Sequence, residues 1–506
     1  MSANKIDFNK ALTSEETLDP ENWDQLKSLG HEMVDTMMDY LRHLRDQPVW
    51  KKPTREARHS FNRAMPTEPQ NREDVFQDFL QHVLPFAKGN VHPKFWGWVE
   101  GNGTPFGMLA DMLASGMNSN LGIGDHAAVY VELQVLNWIK EFLGFPMDAS
   151  GILVSGGSMA NFTGLAVARN SIPDRDIRVK GLFESPSRLT VYGSTETHNS
   201  VQKAIETLGL GSQSFIRIPV DKNYQIDMKL LREAIDKDRK RGRIPFCIVG
   251  NAGTVNTGSI DPLAQLAVLA KKENMWFHVD GAFGAFAAVV DELKDEIKGL
   301  QEADSVAFDL HKWMYMPYEA GCVLVRDKKL HRKSFHIAAP YLISHERGLP
   351  AGPESFGDYG MQLSKGFTAL KVWMSLKEHG TEKYKRIIRQ NIAQAAYLEQ
   401  LVNQSPELEL MAPVALNIVC FRYMHEDLSN EELNTLNKEI LMTLHEEGRA
   451  ITTYTMLGDA YVLRVANVNH RSRKEDFMQL VHDVIEIGNG LLADGFKRDR
   501  IIKRVI

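Results

Sequence analysis

The chain has 506 residues, 43% of them hydrophobic and 25% charged, with a formal net charge of −6. That length exceeds one minimal core, so two or three domains, or one large domain with appendages, are expected. The composition is that of a soluble globular protein, and the acidic balance gives no electrostatic case for nucleic acid or an anionic membrane as partner. Cys247, Cys322 and Cys420 all fall in apolar runs. They read as core thiols of a reducing compartment, with neither a disulfide framework nor a metal site. No uninterrupted apolar span approaches the roughly 18 residues of a membrane helix. The opening residues, Met-Ser-Ala-Asn-Lys-Ile-Asp, lack the apolar core of a signal peptide, so a cytoplasmic location is expected.

Apolar residues at helical spacing predict helices over 26–44 and 71–83, ahead of an aromatic segment, His92-Pro-Lys-Phe-Trp-Gly-Trp-Val99. Trp96 and Trp98 are candidates to line a pocket, with core packing as the alternative. The segment Asn120-Leu-Gly-Ile-Gly-Asp-His126 is polar, and a helix follows over 132–143. Gly151-Ile-Leu-Val-Ser-Gly-Gly-Ser-Met-Ala-Asn161 then reads as strand, glycine turn and helix start. Gly156 and Gly157 let the backbone approach a phosphate, and Ser158 can add a hydroxyl at the positive end of the helix. A plain capped helix would look similar.

Strands predicted at 189–192, 215–219, 246–249, 276–279, 305–308 and 322–325 alternate with helices at 201–208, 228–240 and 262–272. That rhythm predicts an α/β fold with a doubly wound, mostly parallel sheet. Three polar residues then fall just after predicted strands: His198, Asp280 and Lys312. A lysine between two buried strands is suited to lose its proton and attack a carbonyl, since desolvation lowers an amine's pKa. Asp280, closing Trp276-Phe-His-Val-Asp280, points into the crevice where such sheets bind ligands. An amine able to condense with an aldehyde, plus an acid able to pair with a pyridinium nitrogen, is the protein side of pyridoxal 5′-phosphate (PLP) chemistry. From about residue 381 the pattern becomes a smaller α/β unit: a helix over 384–402, a strand at 416–421, a helix over 431–446, a hairpin around Gly458-Asp459 and a helix over 477–491.

These motifs resemble the group II PLP-dependent amino acid decarboxylases, which include the aromatic amino acid and glutamate decarboxylases, over roughly residues 25–490. The resemblance implies the fold-type I PLP architecture: an N-terminal helical segment (1–90), a large PLP-binding domain (91–375) and a small C-terminal α/β domain (376–506). It implies a homodimer clamped by the N-terminal helices, with active sites near the subunit interface. By matching position, Lys312 holds the cofactor aldehyde, Asp280 meets the pyridine nitrogen, and His198 stacks on the ring and touches the substrate carboxylate. Gly157 and Ser158 take the phosphate, while Thr254, Ala282, Asp309 and His311 lie around the cofactor. Tyr341 matches a loop tyrosine that protonates the substrate carbon; a phenylalanine there would turn the expectation toward aldehyde formation.

The implied reaction is decarboxylation of an L-amino acid to its amine and CO2. A carbon–carbon lyase, an aldehyde-forming enzyme and a non-catalytic homologue are the alternatives. Three departures stand out. Gly101 replaces a threonine that meets the substrate ring in the aromatic enzymes. The 120–126 segment is polar where theirs is apolar. Asp309-Leu310 replaces a common Asn-Pro, and an added acid near a phosphate is unfavourable unless paired.

Overall fold

Each helix of the N-terminal segment begins at a side chain that can cap it. Asn22, Thr54 and Asn71 accept from the backbone N–H groups of Gln25, Ala57 and Glu73, opening α1 (Trp23–Arg42), α2 (Arg55–Ser60) and α3 (Arg72–Asp78). In this computed structural model, which describes residues 12–13, 15–182, 187–338 and 345–493, these helices form one compact unit. A single π-turn, Phe79–Val83, continues α3 where a longer regular helix was expected. Trp23, Met33 and Val75 remain exposed on this unit.

The second unit comprises Pro48–Lys52 and the described residues from Ala87 on. Seven strands form its main sheet: β1 (Ser150–Val154), β2 (Leu189–Ser194), β3 (Phe215–Ile218), β4 (Ile244–Asn251), β5 (Trp276–Asp280), β6 (Ser305–Asp309) and β7 (Gly321–Val325). Their order is β1-β7-β6-β5-β4-β2-β3, with β3, β2, β4, β5 and β6 pairing in parallel and β7 antiparallel to both β6 and β1. Every residue of β1, β6 and β7 is buried, as expected of strands covered on both faces. The surrounding helices are α4 (Pro105–Met117), α5 (Ala127–Leu143), α6 (Gly157–Asn170), α7 (Asn199–Thr207), α8 (Met228–Lys240), α9 (Leu263–Lys272) and the single turn α10 (Leu310–Trp313).

The helix expected over 384–402 is part of a longer element, α11 (Ala369–Gln404), broken only by non-helical geometry at Gly380 (φ 68°, ψ 157°). Beyond it, β8 (Leu408–Leu410), β9 (Ile418–Tyr423), β10 (Thr453–Leu457) and β11 (Ala460–Ala466) build an antiparallel sheet in the order β10-β11-β9-β8. Gly458 takes φ 64° in the β10–β11 turn, which a glycine adopts without strain. The helices α12 (Asn430–Glu446) and α13 (Lys474–Ala493) share a core with this sheet, and Trp96 belongs to that core. No helix among the described residues is long and apolar enough to cross a membrane.

Candidate active site

The carboxyl ends of the strands carry the polar residues. β1 runs into Gly156 and α6, β2 is followed by His198, β5 ends on Asp280, and β6 ends on Asp309 with His311 and Lys312 in α10. In an open parallel sheet that edge is where ligands bind. Here it surrounds a cavity of about 330 Å³ bordered by Gly157, Ser158, Asn161, His198, Ala282, Asp309, His311, Lys312 and Glu319.

The glycines are required by close approach. A Cβ on Gly157 would lie 2.9 Å from Asp309 Oδ2, and one on Gly321 would lie 2.4 Å from the Gly156 backbone. The first amide of the α6 ladder is Ala160 N, donating to Gly156 O at 2.9 Å. The amides of Gly157, Ser158 and Met159 therefore precede the ladder and are available at the positive end of the helix.

Lys312 Nζ is 3.0 Å from Asp309 Oδ2, and His311 Nε2 is 3.7 Å from the same oxygen. The extra acid is thus paired, while its Oδ1 is buried with no hydrogen-bond partner. His311 Nδ1 accepts from Ala320 N at 3.1 Å, and burial pushes this imidazole down to about 4 despite the pull of Asp309. It is a neutral ring, tilted by 37° against Tyr318 with 4.4 Å between ring centres.

Behind the cavity, donors and acceptors form one directed chain. Trp276 Nε1 can only donate, and does so to Ser305 Oγ at 2.8 Å. Ser305 then donates to His278 Nδ1 (2.7 Å), whose Nε2–H donates to Asn161 Oδ1 (2.8 Å). Asn161 Nδ2 donates in turn to Asp280 Oδ2 (2.9 Å) and Ser200 Oγ (3.0 Å). Asp280 Oδ1 also accepts from Ala282 N at 3.2 Å. His198 Nδ1 accepts from Ser200 N at 3.2 Å and lies 2.8 Å from Ser200 Oγ. With Nδ1 occupied as acceptor, the proton of the neutral ring sits on Nε2. Burial lowers the His198 pKa, against an upward pull from Asp280.

Sequence reasoning missed Asn161, Ser200, His278 and Glu319. The signals were spacing: Asn161 is one helical turn beyond Gly157, and His278 shares a strand face with Asp280 two residues on. Four expected site residues lie away from this cavity or outside the described residues. Thr254 does not border the cavity; its hydroxyl accepts from Ser259 N and lies 3.1 Å from Thr257 Oγ1, so it holds its own turn. Trp96 is 1% exposed, stacked on Phe477 at 4.9 Å, with Nε1 donating to Ser472 Oγ, and therefore serves the core of the smaller sheet. Trp98 is 50% exposed, with Lys88 Nζ 4.4 Å from its ring centre. Tyr341 lies outside the described residues. The polar 120–126 segment is satisfied internally, Asn120 Oδ1 accepting from Gly122 N and Lys365 N, each at 2.9 Å. Gly101 has a steric reason: a Cβ there would fall 1.4 Å from His311 O.

Comparison with known proteins agrees with this geometry. Residues 53–424 match the family model described as the pyridoxal-dependent decarboxylase conserved domain. An aromatic-L-amino-acid decarboxylase of Bacillus atrophaeus is 34% identical over 469 residues, covering 90% of this chain and 94% of the relative. A phenylacetaldehyde synthase of Arabidopsis thaliana is 29% identical over 462 residues, covering 90% and 94%. The crystal structure of Oryza sativa TDC with PLP and tryptamine superposes with a TM-score of 0.87 at 24% identity, covering 94% of this chain and 100% of that one. The chain belongs to the pyridoxal-dependent decarboxylase family, and it is a PLP-dependent decarboxylase with the fold-type I architecture.

The residues present fit that cofactor. A glycine cradle at the start of α6 leaves room and amide donors for a phosphate, an amine borders the cavity for the aldehyde, and a carboxylate at a strand end can take a ring nitrogen.

Proposed function

We propose that the protein converts an L-amino acid to the corresponding amine and CO2. The observation that carries this reading is the meeting of the Lys312 amine and the His198 ring around one cavity at the strand ends, with the Asp280 carboxylate hydrogen-bonded to the cavity-lining Asn161. When bound, PLP supplies an aldehyde for the substrate amine and a ring that accepts the electron pair left by departing CO2.

The protein's own groups do the rest. Asp309 Oδ2, 3.0 Å from Lys312 Nζ, is placed to take the proton this amine sheds before it can attack. Asp280 offers a fixed negative charge to a protonated ring nitrogen, its orientation set by Asn161 Nδ2 and Ala282 N. His198 presents Nε2–H as a donor to the substrate carboxylate, because Ser200 holds Nδ1. Fixing that carboxylate sets the bond to be broken against the ring, a positioning effect. Tyr341 is assigned as the donor that protonates Cα.

The test is Lys312→Ala. The variant is expected to lose both borohydride-trappable cofactor and all CO2 release; retained turnover overturns the reading. Aldehyde formation is the second reading, favoured by the phenylacetaldehyde synthase among the relatives. Tyr341→Phe is expected to slow amine formation or divert it to aldehyde, resolved by product analysis. We also propose a homodimer clamped by the helices within residues 1–90, supported by exposed Trp23, Met33 and Val75. A monomer in light scattering would overturn it.

A further inference from the structure

We propose that Glu319 reads the far end of the substrate side chain, accepting side chains that end in a hydrogen-bond donor, amines above all, and repelling those that end in a carboxylate. The inference rests on the decarboxylation reading above and adds a substrate class to it.

Glu319 borders the same cavity as Lys312 and His198. The backbone around it is fixed on both sides. On one side the Tyr318 ring lies tilted against His311, and its hydroxyl accepts from Gly101 N at 3.2 Å. On the other, Ala320 N donates to His311 Nδ1, Ala320 O accepts from Leu310 N, and Gly321 packs on Gly156. Glu319 is exposed, and its carboxylate has no hydrogen bond or ion pair among the described residues. Every other acid near this end of the sheet is engaged: Asp309 with Lys312, Asp280 with Asn161, and Glu100 with Lys88.

Charge decides what such a group can meet. Among the residues bordering the cavity, Lys312 is the one formally cationic side chain, and it already faces Asp309. His311 is neutral. The substrate amine goes to the cofactor aldehyde and its carboxylate to His198, which leaves Glu319 for the side chain. A donor there gains a charge-assisted hydrogen bond. A second carboxylate would meet like charge across the cavity.

The experiment compares L-ornithine with L-glutamate, chains of similar length and opposite end charge, and L-tyrosine with L-phenylalanine, which differ by one donor. PLP-loaded wild type, Glu319→Gln and Glu319→Lys are each assayed for kcat/KM and for equilibrium binding, read from the change in cofactor absorbance. Wild type is expected to favour ornithine over glutamate and tyrosine over phenylalanine. Glu319→Gln should shrink the ornithine-to-glutamate ratio by about tenfold or more, the scale of one charge-assisted hydrogen bond. Glu319→Lys should invert it. Ratios unchanged in both variants overturn the proposal. So does a loss of dimer or of cofactor with the ratios intact, which would make Glu319 a partner for a cation of a second copy. Binding ratios that shift with no CO2 released from any amino acid would instead sink the decarboxylation reading and leave Glu319 as the selector.

Discussion

The two polar clusters that meet at this cavity are built on opposite plans. Behind it, the chain from Trp276 through Ser305, His278 and Asn161 to Asp280 pairs its donors with acceptors in one direction only. In front of it, Asp309 Oδ1 has no partner, and Glu319 has none among the described residues. A satisfied buried network fixes geometry, since each rotation would leave a polar group unpaired at about 1–3 kcal/mol. Spare acceptors at a cavity wall are open to a ligand. The Asp280 carboxylate is thus held rigid, while the wall carrying Asp309 and Glu319 keeps its hydrogen-bonding capacity.

The contrast can be broken most sharply at its shared end. Asp280→Ala is expected to lower kcat about 100- to 1000-fold, the scale of losing one preorganised charge partner. Cofactor absorbance should shift, and the melting temperature should fall because Asn161 Nδ2 and Ala282 N lose an acceptor. Near wild-type turnover would mean that Asp280 belongs to the scaffold alone. Next is Asn161→Ala, which strands His278 Nε2–H and frees one oxygen of Asp280. A stability loss of about 2–3 kcal/mol is expected in chemical denaturation, accompanied by weaker PLP retention in dialysis.

A pH series tests the same network without mutating it. Burial pushes His278 down to about 3, so it stays neutral in the folded protein. In the unfolded chain it takes up a proton near pH 6.5, give or take about one unit. Its neutral form therefore contributes stability that is complete above that pH and is lost as pH falls toward the folded value, at about 1.4 kcal/mol per pH unit. The urea midpoint should fall on acidification, and more steeply in wild type than in His278→Gln. Equal slopes would remove His278 from the account. The smallest effect is expected at Thr254→Val: about 1 kcal/mol, from the lost acceptor for Ser259 N. PLP affinity should be unchanged. A clear drop in affinity would return Thr254 to the cofactor.

Much of this was legible before any coordinates. The apolar runs at 305–308 and 322–325 read as buried strands, and the alternation of strands with amphipathic helices over 189–308 pointed to a mostly parallel sheet, to which β7 is the antiparallel exception. Once the sheet is parallel, its topology carries His198, Asp280 and Lys312 to one edge, because each follows a strand in sequence. Gly156 and Gly157 marked a close approach through what they lack. The limits were equally physical. Trp96 and Trp98 are two residues apart in one motif, yet one enters a core with Phe477 and the other half-faces solvent. Thr254 looked like a ligand because it follows a strand, whereas the partners of its hydroxyl are set by the fold of its own turn.

Local periodicity and residue chemistry therefore determined the class of sheet, the edge at which polar residues gather and the lysine brought to it. Only the tertiary structure decided how a donor chain 117 residues apart at its closure, from His278 to Asn161, sets the orientation of Asp280. It alone decided that Asp309 is paired by Lys312 and that Glu319 is left over. Pairing depends on distances of a few ångströms between residues far apart in the chain, and no local pattern encodes those.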